Sequence, residues 1–251
     1  MKKLLLGAVT LFAVACAEKP IPNELDIQPE NIEFWEVCET STLGEIYNFL
    51  YNGEADKLVA EALESEEVSL LSSLLVREYP FKDGEGKIQS APVGGYIVAA
   101  ADKDNMAKIN EYLALDGVKA MIASDVKLAW SNKNSLDGTR GGIFTLYALQ
   151  GNGGLFPAMD GSGIVEAKAV EGMWGGFEVS ITMNDRAAVE WANLTEKNIG
   201  KPLAIVMDNV VYSVPIVNDR IEGGKSAISG AFTKSEAEAF ARALNHRALN
   251  Q

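Results

Sequence analysis

Few residues in this 251-residue sequence have the type and spacing that catalysis needs. It holds one histidine, His246 in the terminal tail, so a Ser-His-Asp triad or a histidine metal cluster lacks its usual parts. Asp160-Gly161-Ser162-Gly163 sets a serine between glycines, but without the spacing of a strained nucleophile turn and with no second histidine as base. Neither Gly151-x-Gly153-Gly154 nor Gly84-x-Gly86 is followed by the Lys-Ser/Thr that a phosphate loop requires. Asp208, with Asn209 after an apolar run, reads as a hairpin turn rather than an acid or base. Cys38 closes an apolar strand and is expected to act as a small buried hydrophobe. No catalytic residue, cofactor or metal ligand is assigned, and an enzyme ranks last among the functional readings.

One residue does carry covalent chemistry by its context. Lys2 and Lys3 precede a twelve-residue apolar run from Leu4 to Ala15. At about 1.5 Å per residue this run reaches about 18 Å, short of a hydrocarbon core of about 30 Å, so it is an export signal and not a span. It ends Ala13-Val14-Ala15-Cys16, which resembles a bacterial lipobox. That implies removal of residues 1–15 and diacylation of Cys16, palmitate being a typical acyl group; an ordinary cleavage site ahead of a cysteine is the competing reading. Residues 16–31 are polar, hold Pro20, Pro22 and Pro29, and suit an extended tether. Ala17, not Asp, follows the cysteine, which by resemblance to lipoprotein sorting rules favours the outer membrane, facing the periplasm. The expected membrane contact is the lipid anchor alone.

The elements beyond the tether divide into two α+β halves. In residues 32–134, Ile32 to Cys38 alternates as a strand and residues 43–77 read as helix broken near Asn52-Gly53. Gly95 to Ala100 suits a buried strand. A helix follows, capped by Asp102 or Asp104, with Met106, Ile109 and Leu113 on one face and Gly117 at its exit; Val126 to Trp130 is a strand. In residues 135–251, strands are expected at Ile143 to Leu149, Ile164 to Val170 and Phe177 to Met183, with residues 151–163 as a long loop. Asn184 caps a helix whose face holds Ala188, Trp191, Leu194 or Thr195, and Ile199 and which Gly200 closes; a hairpin turns at Asp208-Asn209. Thr233-Lys234-Ser235-Glu236 is a capping box opening a helix with Ala237, Phe240, Ala241 and Leu244 at core spacing. With 47% hydrophobic residues a core is affordable, and a formal charge of −13 argues against nucleic acid as a partner.

The stretch from Thr195 to Leu244 resembles the first periplasmic domain of SecD, the accessory subunit of the bacterial Sec translocon. The matching parts are Asn198-Ile199-Gly200-Lys201, Ala204-Ile205-Val206 ending at Asp208, Ser213-x-Pro215, Gly223-Gly224, Ile228-Ser229-Gly230 and the Phe232-Thr233 entry into a helix with Glu236-Ala237. Upstream, Glu33-Phe34-Trp35-Glu36, Gly95-Tyr96 and Lys108 to Leu113 look like fused SecDF proteins of the Bacteroidetes. The resemblance implies a ferredoxin-like base at 32–134, a head at 135–251 that contacts unfolded, translocating polypeptide, and Sec translocon components as partners. Family members continue into a membrane span where this sequence ends, and their proton-coupling groups lie in such spans. The expectation is therefore a non-catalytic envelope lipoprotein that binds unfolded or translocating polypeptide and assists Sec-dependent export. A repurposed module docking a folded envelope partner is the alternative. Leu155, Phe156, Met159, Met173 and Trp174, apolar residues of the loop-rich second half, are the candidate contacts.

Overall fold

The computed structural model describes residues 32–43, 45–64, 70–136, 141–172 and 175–248. Cys16, Met173 and Trp174 lie outside them, as does the side chain of His246. In chain order the elements are β1 Ile32–Val37, α1 Glu45–Tyr51, α2 Glu54–Leu63, α3 Leu71–Leu74, β2 Glu78–Lys82, β3 Ile88–Pro92, β4 Ala99–Ala101, α4 Lys103–Leu113, α5 Asp116–Lys119, β5 Val126–Trp130 and β6 Phe144–Gln150. Then come β7 Met159–Asp160, a 3-10 turn at Gly161–Gly163, β8 Ile164–Glu171, β9 Phe177–Met183, α6 Asp185–Lys197, β10 Leu203–Met207, β11 Val210–Ser213, β12 Lys225–Phe232 and α7 Lys234–Ala248. The class is α+β, as expected.

Seven strands form one antiparallel sheet with the path β11-β10-β1-β6-β4, β5 adding to β6 and β7 to β1. Period-two alternation sorts its side chains. On one face Phe144, Leu146, Ala148 and Trp130 pack under the helices of the first half with Val59, Leu71 and Ile109. On the same face, Ile32 and Phe34 of the adjacent β1 and Leu203 and Ile205 of β10 beyond it pack with Trp191 of α6 and with Val179, Ile181 and Phe240. The opposite face buries a smaller cluster around Trp35, Leu149 and Val206. A second sheet, ordered β12-β9-β8, closes the second core, and β2 with β3 makes a separate hairpin.

The division expected at residue 134 is not a break between sheets. β6, beyond it, pairs with β4 and β5 before it, and β1 pairs with β10 about 170 residues later. The physical reason lies in β1, which has an apolar row on each face and would leave both half-covered if it stayed with one half.

Local signals in the second half are realised closely. Asn184 Oδ1 accepts from the Ala187 N–H at 2.9 Å, and Asp208 and Asn209 take φ of 48° and 66° in the β10–β11 turn. In the capping box the Thr233 N–H donates to Glu236 Oε2 at 2.6 Å and the Glu236 N–H to Thr233 Oγ1 at 3.3 Å. The helix after Asp102 differs from expectation: it ends at Leu113, Leu115 is extended, and Gly117 sits within the short α5 rather than at an exit. Tyr112, not Leu113, completes its buried face with Met106 and Ile109. Ile199 is also displaced from its expected buried face, being 49% exposed.

Candidate polypeptide-contact surface

The loop between β6 and β7 carries the surface of interest. Its root is fixed by polar bonds. Gln150 Nε2 donates to Asp125 Oδ2 at 2.9 Å, and the Gly151 N–H donates to the Asp125 carbonyl at 2.7 Å. A Cβ at residue 151 would overlap the Gly154 carbonyl oxygen, so the turn closes this tightly only with glycine there. The Asn152 N–H then donates to the Phe156 carbonyl at 3.0 Å, looping the chain back and turning two large side chains outward. Leu155 is 56% exposed and Phe156 65%.

Met159 is a correction to the expected contact set. It pairs with Phe34 as the first residue of β7 and is buried, while Asp160, next along the strand, faces out. The Asp160-Gly161-Ser162-Gly163 motif is likewise structural: Asp160 Oδ1 accepts from the Ser162 N–H at 2.8 Å, and Cβ atoms at 161 and 163 would overlap Ile32 and Ala187.

Leu155 forms one wall of an open apolar groove of about 720 Å³, whose other walls include Leu113 of α4, Ile122, and Val126 and Leu128 of β5. Trp130 Nε1 donates to Asn110 Oδ1 at 2.8 Å and so holds α4 against β5 on either side of it. On the loop's other flank Asn152 borders a smaller groove of about 360 Å³ with Glu36, Glu190, Asn193 and Lys197; Lys197 Nζ bonds Glu36 Oε1 at 2.7 Å. The loop thus separates an apolar cleft from a charged one.

Beneath the root, Cys38 Sγ donates to Gln150 Oε1 at 3.7 Å. Burial, with the Asp125 and Glu36 carboxylates nearby, pushes its thiol up to about 11 from an ordinary 9.0, so at neutral pH it is a protonated hydrophobe and not a nucleophile. Among the described residues no group of three or more His, Cys, Asp or Glu side chains is arranged to hold a metal ion. No helix among them is long and apolar enough to cross a membrane.

Leu155 and Phe156 are exposed, whereas the groove beside them has walls from residues 113, 122, 126 and 128 that meet only through the fold and had no expectation attached. The β2–β3 hairpin was not expected either. A signal was there: Asp83-Gly84-Glu85-Gly86 lies between Tyr79-x-Phe81 and Ile88, and Asp83 Oδ1 accepts from the Glu85 and Lys87 N–H groups.

Residues 155–251 match the family model described as "SecDF, P1 head subdomain". Protein translocase subunit SecD of Rhodothermus marinus is 34% identical over 160 residues, 63% of this chain and 25% of that protein. SecDF of Thermus thermophilus is 36% identical over 93 residues, 37% of this chain and 13% of that protein. The chain therefore spans about a quarter or less of the length of these relatives. A solved SecDF structure, described as a membrane component that enhances protein export, aligns over 85% of this chain and 92% of its own at 19% identity. Its TM-score of 0.35 is too loose an overlap to carry weight. The matches in sequence agree with the residues at which the resemblance was first visible, from Asn198 to the capping box of α7. Residues 155–251 are thus similar to the P1 head subdomain of SecDF, and a 160-residue stretch of the chain is similar to SecD.

Proposed function

We propose that this protein is a non-catalytic, export-associated module of the bacterial envelope that binds unfolded or translocating polypeptide at the Leu155–Phe156 loop. The observation that carries this reading is the pairing of two adjacent, exposed large side chains with an apolar groove that one of them walls. Isolated exposed apolar residues are ordinary, whereas a contiguous patch on a charged protein marks an interaction site. An unfolded chain offers apolar side chains in no fixed arrangement, and a shallow open cleft with a bulky rim tolerates that variety. The relatives are named as protein translocase subunits, which supports Sec translocon components as further partners.

In this reading residues 1–15 are the signal, Cys16 carries the lipid, residues 16–31 tether the body, and the anchor lies in the outer membrane facing the periplasm. Residues 32–134 serve as the base and 135–251 as the head.

The reading is tested by placing a photo-crosslinking amino acid at 155 or 156 in cells. Adducts with many nascent or unfolded exported proteins are expected. A single folded partner in stoichiometric yield would replace this reading with that of a repurposed docking module, and no polypeptide adduct would end it. The anchor is tested by metabolic labelling with palmitate, which Cys16→Ser should abolish.

A further inference from the structure

The β2–β3 hairpin forms a sheet of its own, and its two outer edges are finished differently. The ladder bonds fix which backbone groups face outward. At the turn the Asp83 N–H donates to the Lys87 carbonyl at 2.9 Å, and at the base the Val93 N–H donates to the Arg77 carbonyl at 2.8 Å. Bonded pairs in an antiparallel ladder recur at every second residue, so Phe81 with Gln89 and Tyr79 with Ala91 direct their N–H and C=O groups at each other. The pairs between them are Lys82 with Ile88, Pro80 with Ser90 and Glu78 with Pro92, whose backbone groups point away from the partner strand.

Both prolines of the hairpin fall at such outward positions. Pro80 lies in the middle of the β2 edge, where it removes an N–H and sets a ring in the path of any added strand. Pro92 lies at the last position of β3 and leaves Ile88 and Ser90 with their outward N–H and C=O groups, its own carbonyl continuing the row. Among the described residues β2 is the only element that packs along β3, and Ile88, Gln89, Ser90 and Pro92 are exposed, Ile88 at 63%. The edge is also held in shape. Asp83 Oδ2 accepts from Gln89 Nε2 at 3.0 Å, Ser90 Oγ donates to Glu78 Oε2 at 3.2 Å, and the Tyr79 and Phe81 rings lie 6.3 Å apart with Tyr79 against the first core. One edge of this hairpin is thus sealed and the other is open and preformed.

We propose that the outer edge of β3 takes up a segment of extended polypeptide as an added antiparallel strand, paired at Ile88 and Ser90. Each of these residues has an N–H to donate and a carbonyl to accept with, and the Pro92 carbonyl accepts one bond more. From Ile88 to Pro92 the edge runs about 13 Å, room for about five residues of an added strand. A two-stranded hairpin is the smallest sheet, and a third strand stabilises it. Pairing through backbone groups is indifferent to the client's sequence, which suits many unfolded chains and excludes folded ones, whose backbone groups are already paired. A second copy of this chain is the poorer occupant, because pairing two copies brings together two bodies of formal charge −13. The inference rests on the reading of this protein as a binder of unfolded polypeptide and adds a second point, besides the Leu155–Phe156 loop, at which the client is held.

Two substitutions at one position separate backbone from side chain. Ser90→Pro removes an outward N–H and seals the β3 edge as Pro80 seals that of β2; the bonds to β2 come from other residues, so the fold should stand. Ser90→Ala removes the hydroxyl and its bond to Glu78 but keeps the N–H. The probe is reduced, carboxymethylated lactalbumin titrated onto the full chain, with binding read by fluorescence anisotropy and folding by thermal melting. Ser90→Pro should weaken binding about tenfold, the scale of one or two net hydrogen bonds, while Ser90→Ala should bind as the unaltered chain does. Independently of any variant, the Ile88 and Ser90 amides of the unaltered chain should exchange more slowly once the probe is bound. If the unaltered chain binds the probe but those two amides keep their exchange rates, or if Ser90→Ala weakens binding as much as Ser90→Pro, the edge inference is wrong while the loop reading stands. If the unaltered chain has no affinity for the probe, both fall. Self-association of the unaltered chain that Ser90→Pro abolishes, with probe affinity unmoved, would assign the edge to a second copy and overturn the proposal.

Discussion

Glu236 is where a single side chain ties the two halves, and removing its charge should show it. Its carboxylate is 8% exposed, accepts from the Thr233 N–H, and lies 2.7 Å from Lys133 Nζ, which belongs to the segment after β5 and is 24% exposed. Burial alone would raise its pKa, but the hydrogen bonds from Lys133 and Thr233 outweigh that and hold it below the ordinary 4.5. Glu236→Gln preserves an acceptor for the cap but discards the charge. Breaking a fully buried pair costs about 3–5 kcal/mol; with Lys133 partly solvated, about 1–2 kcal/mol is expected at pH 7. Glu236→Ala also loses the cap, worth about 1 kcal/mol, for a total of about 2–3 kcal/mol and a Tm lower by about 4–12 °C. Because the folded pKa is depressed, the charge contribution is fully present above 4.5 and disappears as pH falls through the folded value. The assay is urea unfolding of both chains at pH 7 and at steps below 4.5. A Glu236→Gln penalty that stays constant across that range would refute the ionic account and leave only packing.

Other substitutions separate the surface from the core. Leu155→Ser with Phe156→Ser should weaken binding of an unfolded protein at least about tenfold with Tm unchanged, since both side chains are more than half exposed. Met159→Ala, four residues on, should instead cost about 2–5 kcal/mol in denaturant unfolding, because Met159 fills the second core. In a Cys16→Ser background, Cys38 should react with a disulfide reagent at pH 8 only after unfolding; folded-state stability should fall as pH rises from 9.0 to about 11, where the unfolded thiol ionises and the folded one resists, and Cys38→Ala should remove that slope. Trp191 Nε1 is buried without a hydrogen-bond partner, so Trp191→Phe should change stability by only about 1 kcal/mol, whereas Trp191→Ala should cost about 3–5 kcal/mol by thermal or urea unfolding.

What could be read from the sequence was whatever depends on neighbours along the chain. The capping box, the Asn184 cap, the Asp208-Asn209 turn and the clean alternation of β9 each involve residues within four positions of one another, and each stands where it was expected. What could not be read depends on pairing at long range. Nothing in Ile32 to Val37 says that its partner is β10, because any apolar alternating strand would match it as well. Met159 looked like its neighbours Leu155 and Phe156 in an apparent loop; only the two-residue pairing with Glu33 and Phe34 distinguishes it. Apart from Leu155, the apolar groove had no sequence signature, since its other walls read locally as ordinary core.

The same pairing constrains how the loop can act. β6 enters it and β7 leaves it, and both strands pair with β1: Glu36 with Gln150, and Phe34 with Met159. A swing of the loop that moved its root would have to break both pairings, lift Met159 out of the second core, and release Gln150 from Asp125. Those losses far exceed what two apolar side chains gain on contact with a client. On the proposed reading, the Leu155–Phe156 tip would engage polypeptide as a fixed platform, with adaptation left to the client chain and to the tip's own side chains. Because β1 contributes to the second core and to the opposite-face cluster, that platform is braced from both sides of the sheet, so a client pulling on the tip loads the whole seven-stranded sheet rather than one hairpin.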